Sequence, residues 1–165
     1  METRNFRIWI DADSCPVQVR DLTVRFALRL NILVKFVANH DIPFKKNELF
    51  EMIVCEAEQD AADNYIVENS DANDLVITRD IPLASRLVDR KICVINDRGC
   101  VFTEANIAEK LATRNLHYML MENGTLSETR RTGSFGKKEL NLFANSLDRE
   151  LQKKLRSEAE NKILT

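Results

Sequence analysis

No apolar run in the chain reaches the roughly 18 residues a membrane-spanning helix needs, so none is expected. The opening residues M-E-T-R-N-F-R-I-W-I lack the apolar stretch of a signal peptide and enter a strand almost at once, which points to a cytosolic protein. The four cysteines (Cys15, Cys55, Cys93 and Cys100) form no C-x-x-C pair, and reduced, mostly buried thiols are expected. The two histidines, His40 and His117, have no metal-ligand spacing and receive no role. Internal repeats and low-complexity tracts are absent. There is no excess of positive charge either. The formal net charge of −2 argues against bulk attraction to nucleic acid, while leaving room for a local basic patch.

What is present describes an ordinary globular domain. The 165 residues can bury a real core, and 44% hydrophobic with 30% charged residues is not the composition of a disordered chain. Solid apolar runs alternate with helical periodicity. Strands are expected at Phe6 to Ile10, Ile32 to Val37, Leu75 to Thr78 and Ile92 to Ile95. Leu49 to Cys55 reads as a further strand, with a short helix as the alternative. Between them lie helices. The first follows Asp13-Ser14-Cys15-Pro16, with Val19, Leu22, Phe26 and Leu30 as its apolar stripe. Others are expected from Asp60 to Asn69, with Asp60 in the first turn, from Ile81 to Arg90, and from a Thr103 cap to about Arg114. Residues 39–47 are a polar loop, and Asn96-Asp97-Arg98-Gly99 is a turn. Short connections between alternating strands and helices imply a three-layer α/β domain, its mainly parallel sheet covered by helices on both faces.

The last part changes character. Residues 122–138 are rich in Gly, Ser, Thr, Lys and Arg and read as a mobile basic loop. A C-terminal helix over 139–156 then carries Leu140, Phe143, Leu147, Leu151 and Leu155 on one face. Packing on its own domain accounts for that face; exchange with a second subunit, giving a homodimer, is the alternative.

In an open α/β sheet, ligands bind outside the carboxyl ends of the strands. Aspartates collect there: Asp11 and Asp13 after the first strand, Asp60 and Asp63 at the start of a helix, Asp80 after L-V-I-T, and Asp97 after I-C-V-I. Any one of them is explained by capping or turn chemistry; their recurrence at four strand ends is harder to explain that way. Packed carboxylates repel one another, and a divalent cation removes the conflict. Hard oxygen donors suit Mg²⁺ or Mn²⁺, the usual ions for phosphoester hydrolysis. Asp60 and Asp63 share a helix face, so one is expected as a ligand and the other as an orienter. Arg79, Arg98, Arg130, Arg131 and Lys137 could hold backbone phosphates, with Phe135 available to stack on a base. Cys15 sits at a helix start, but two nearby aspartates oppose its thiolate and no base partner is visible.

The motifs I-D-A-D-S-C-P, D-A-A-D-N-Y-I, D-L-V-I-T-R-D-I-P-L-A and F-A-N-S-L-D-R closely resemble the YaiI/YqxD family of uncharacterised bacterial proteins, from about Arg7 to Leu151. Two departures are visible. Ser14 replaces an alanine, and Asn96-Asp97-Arg98-Gly99 replaces Asn-Pro-Arg-Gly, which leaves Asp97 outside the ligand set the resemblance implies. That family is more distantly similar to PIN-like nucleases. The similarity implies a metal-dependent ribonuclease-type site with Asp11, Thr78, Asp80 and Asp63 in its motif positions and Asp60 competing with Asp63. The expected function is therefore a Mg²⁺- or Mn²⁺-dependent nuclease acting on RNA or single-stranded nucleic acid. Asp13 would be an outer or second-metal group, and Thr78 would orient Asp80 or touch phosphate. The alternatives are a haloacid-dehalogenase-type phosphatase with Asp11 as nucleophile, and a non-catalytic module that binds metal or nucleic acid.

Overall fold

The computed structural model describes residues 2–125 and 134–165. Six strands alternate with helices as β1 (Arg7–Asp11), α1 (Val17–Leu30), β2 (Leu33–Ala38), β3 (Phe50–Val54), α2 (Ala61–Asn69), β4 (Leu75–Ile77), α3 (Ile81–Asp89), β5 (Cys93–Ile95), β6 (Val101–Phe102), α4 (Glu104–Glu122) and α5 (Lys137–Leu164). The sheet order is β3-β2-β1-β4-β5-β6. All pairs are parallel except β5 with β6.

The pleat sorts the strand side chains onto two faces. Ile8, Ile10, Val34, Phe36, Leu75, Ile77 and Ile95 pack with Val19 and Ala27 of α1 and Phe143, Leu147 and Leu151 of α5. Trp9, Val37, Val76 and Val94 pack with Ala62 and Ile66 of α2, Leu83, Ala84 and Leu87 of α3, and Ile107 of α4. The expected three-layer α/β arrangement is therefore present. Its handedness follows from chain direction. The chain steps from β1 to β2 one way and from β4 to β5 the other, so right-handed crossovers place α1 and α3 on opposite faces. The direction reverses between β1 and β4, and in such sheets the ligand crevice lies outside the carboxyl ends of the strands at that point.

Several boundaries move from where the sequence pattern puts them. Residues 49–55 settle as a strand, not a helix, because β3 pairs with β2 from Val34–Phe50 to Ala38–Val54. The two-residue β6 has too short a period to be read, yet it closes a hairpin after Asn96-Asp97-Arg98-Gly99. Helix α4 runs past Arg114 to Glu122. No proline or glycine interrupts it until Gly124, whose φ of 71° suits an αL residue. Of the expected loop over 122–138, Glu122 belongs to α4, and Lys137 and Lys138 to α5. Arg130 and Arg131 lie outside the described residues.

Helix α5 extends well beyond Arg156 and lies on its own domain. Its far end is fastened by the buried Glu158, which pairs with Arg4 at 3.2 Å and accepts from the Asn5 amide at 2.8 Å. Its near end passes over the β5–β6 turn, where Gly99 has φ 83°. Among the described residues, no helix is long and apolar enough to cross a membrane.

At the amino ends of the strands, Asp74 is fully buried and accepts from the Arg7 amide and guanidinium, both at 2.8 Å, from the Trp9 indole at 2.9 Å and from the Asp71 amide at 2.9 Å. This aspartate is structural: it joins β1 to the turn before β4, at the opposite end of the strands from the crevice.

Candidate functional site at the carboxyl rim

Strand alternation decides which aspartates meet. Asp11 follows Trp9 by two residues and Thr78 follows Val76 by two, so both lie on the α2/α3 face. Asp11 is 5% exposed. Its Oδ2 accepts from the Thr78 hydroxyl at 2.7 Å and from the Ser14 hydroxyl at 2.9 Å. Thr78 Oγ1 in turn accepts from the Asp80 amide at 3.0 Å, and Ser14 Oγ accepts from the Arg79 amide at 3.3 Å. Two hydroxyls thus lace the end of β1 to the residues just after β4. Ser14, three residues past Asp11, was not among the expected site residues. A short polar residue that can turn back on the aspartate before it is the signal that would have found it.

Asp80 caps α3: its Oδ1 accepts from the Leu83 amide at 3.0 Å, so its capping reading holds. It still belongs to the rim electrostatically. Asp63, in the first turn of α2, is pushed up to about 7 by burial and by the nearby charges of Asp80, Asp11 and Asp60, against a smaller lowering by Arg86. Asp11 is raised too, chiefly by burial, then by Asp80 and Asp13, while the two hydroxyls pull the other way. Carboxylates from β1, α2 and α3 therefore repel one another across a single crevice.

The remaining acids are placed differently. Asp60 is exposed and precedes α2 with φ 65°, outside the helix whose first turn it was expected to occupy. Asp13 turns to the loop after β2, where its Oδ2 accepts from the Asn39 amide at 2.8 Å and its Oδ1 lies 3.2 Å from His40 Nδ1. Asp97 has the wrong parity: it follows Ile95 onto the α1/α5 side, with Arg79 Nε 3.5 Å from its Oδ2. Cys15 is buried there as well, and burial with the Asp11 charge pushes its thiol far up, so it carries no thiolate at neutral pH.

The expected phosphate contacts fare unevenly. Arg79 is half exposed at the rim, beside Asp97. Arg98 pairs with Glu139 at 3.7 Å and covers the Phe135 ring at 5.9 Å. Phe135 is half-buried, with one side of it packed against the core. Lys137 is exposed at the start of α5.

Among the described residues no group of three or more His, Cys, Asp or Glu stands ready-made around one metal position. The chemistry of the donor set nevertheless suits a hard cation. The donors are oxygens, mutually repelling, and Asp11 Oδ1 accepts no hydrogen bond among the described residues. Mg²⁺ is usually held by only one or two carboxylates and keeps several waters, so a closed cage of three is not required.

The repulsion has a measurable consequence in metal-free protein. A carboxyl whose folded-state pKa lies above its unfolded value takes up a proton on folding, so its contribution to stability falls as pH rises from its ordinary 3.8 to about 7 and is constant above. Asp63→Asn should therefore melt like the parent at pH 3.5 and above it at pH 8. An equal difference at both pH values in a thermal unfolding series would place the effect outside this titration.

A model of the Uncharacterized BCR, YaiI/YqxD family matches residues 9–153. A UPF0178 protein of Treponema denticola is 51% identical, covering 91% of this chain and 94% of its own length. Those of Treponema pallidum and Psychromonas ingrahamii are 48% and 46% identical over 90% and 88% of this chain, and 83% and 95% of their own lengths. No solved structure matches the chain.

Proposed function

The chain belongs to the YaiI/YqxD family, whose description names no reaction, and we propose that its carboxylate rim hydrolyses phosphodiesters of RNA or single-stranded nucleic acid with the help of Mg²⁺ or Mn²⁺. The observation that carries this reading is the meeting of Asp11 and Asp80 on the Thr78 hydroxyl, with Asp63 close enough to feel both charges, at the point where the strand order reverses. Such an arrangement costs stability and is compensated by bound positive charge. The resemblance of the acidic motifs to those of PIN-like nucleases, read from the sequence alone, favours the same reading.

Asp11, Asp63 and Asp80 would hold the ion. Once bound, it would activate water and offset charge on the phosphate and the leaving oxygen. Thr78 and Ser14 fix Asp11 in one orientation by occupying its Oδ2. Thr78 also receives the Asp80 amide, so one hydroxyl sets the position of two acids. Asp13 and Asp60 are outer groups on this reading. A phosphatase using Asp11 as nucleophile would need Asp13 free as acid and base, and both Asp13 oxygens already face Asn39 and His40.

The test is a crystal soaked in Mn²⁺, paired with a single-stranded RNA cleavage assay. Expected are an anomalous peak within coordination distance of Asp11 and Asp80 and cleavage that a chelator stops. RNA that is bound yet left intact across substrates and both ions would make the protein a binding module instead.

A further inference from the structure

The rim carries an arginine that its sequence position does not advertise. Arg86 lies in α3, more than a turn beyond the Asp80 cap, on a surface that pattern alone reads as solvent-facing. Helical side chains lean toward the N-terminus of their helix, which brings Arg86 back toward the crevice. Its Nη1 donates to Asn64 Oδ1 at 2.9 Å, and Asn64 is the neighbour of Asp63 in the first turn of α2.

The other two arginines described at the rim face carboxylates, Arg79 with Asp97 and Arg98 with Glu139. Arg86 makes its hydrogen bond to a neutral amide, while its charge acts on Asp63 nearby. That bond takes one of the five donors of a guanidinium and leaves its charge intact. Because Asn64 limits where the guanidinium can go, less side-chain entropy is lost when an anion docks. Arg79 leans toward β5 and Arg86 toward α2, so the rim presents cations in two directions. An acidic crevice that must admit a polyanion needs such cations, since its own carboxylates repel the substrate.

We infer that Arg86, steadied by Asn64, contacts a backbone phosphate of single-stranded nucleic acid on the α2 side of the rim. This rests on the nuclease reading above. Base identity does not enter, so affinity should fall alike for all sequences when the charge is removed.

Fluorescence anisotropy with a short labelled mixed-sequence RNA, in Ca²⁺ in place of Mn²⁺ so that bound RNA is not cleaved, and at several salt concentrations, tests it. Arg86→Gln keeps a long stem and a hydrogen-bonding head without the charge. It should bind more weakly, and the slope of log affinity against log salt should shrink by about 0.7, the value for one single-strand phosphate contact. Arg86→Lys should restore most of the slope. A strut between α2 and α3 would instead lower the melting temperature and leave the slope alone. An unchanged slope in Arg86→Gln, with normal binding by the parent, overturns the role of Arg86 and spares the nuclease reading. No binding of RNA by the parent overturns both.

Discussion

Asp11→Asn is expected to abolish metal-dependent cleavage and, at pH 8, to raise the melting temperature of the metal-free protein. The two results have one cause. Asp11 is nearly inaccessible, and burial with the charges of Asp80 and Asp13 opposes its ionisation. Asparagine has the same shape, and its carbonyl oxygen can accept from Thr78 and Ser14 as Oδ2 does now. What disappears is the charge. A cation would lose its most buried donor, and the loss should exceed the roughly 10–100-fold typical of groups that only support a ligand. The folded state would lose a desolvated, repelled carboxylate. The gain should vanish toward pH 3.5, where Asp11 is protonated in the unfolded chain as well as the folded one. Cleavage rates with Mn²⁺ and melting curves at the two pH values check both halves. A variant that melts lower yet cleaves normally would make Asp11 a structural residue.

Gly99→Ala should be the most damaging glycine-to-alanine change among the described residues. Gly99 sits at φ 83°, where a side chain costs about 1–2 kcal/mol. A Cβ there would also stand 2.4 Å from the Leu142 carbonyl oxygen and 2.8 Å from its carbon, both backbone atoms of α5. The helix would have to retreat, and with it Phe143, Leu147 and Leu151, all fully buried. Overpacking of this kind adds about 1–3 kcal/mol. The sum, about 2–5 kcal/mol, corresponds to a fall of roughly 5–15 °C in melting temperature for a chain of this size. Gly124→Ala is the internal control: φ is 71°, but nothing lies within 4 Å of the added Cβ. Its loss should be limited to the backbone strain. Equal losses in the two variants would show that α5 does not press on the β5–β6 turn.

Much of the fold was legible along the chain, because the signals are local. Apolar runs such as L-V-I-T and I-C-V-I announce strands buried on both sides, and the pairing of β4 with β1 and β5 agrees. Thr103 was readable as a cap, and its hydroxyl accepts from the Asn106 amide at 3.2 Å. Helix ends were less legible, since α4 runs straight through the end expected at about Arg114. Within the site, carboxyl groups at strand ends could be recognised by residue type and position. Their separate fates could not. Asp97 and Asp11 both follow a strand, yet Asp97 falls on the α1/α5 side beside Arg79.

The residues alone were enough to establish an α/β alternation, a collection of acids after the strands and kinship with a bacterial family. These depend on periodicity, turn chemistry and motif order, which are properties of neighbours in the chain. Strand order belongs to the folded molecule. It placed β1 beside β4, turned Asp11 and Thr78 to the same face, drew Asp63 and Asp80 close enough to feel one another, and sent Asp97 elsewhere. Long-range pairing and the handedness of crossovers decide such meetings, and neither leaves a mark on any short stretch of residues.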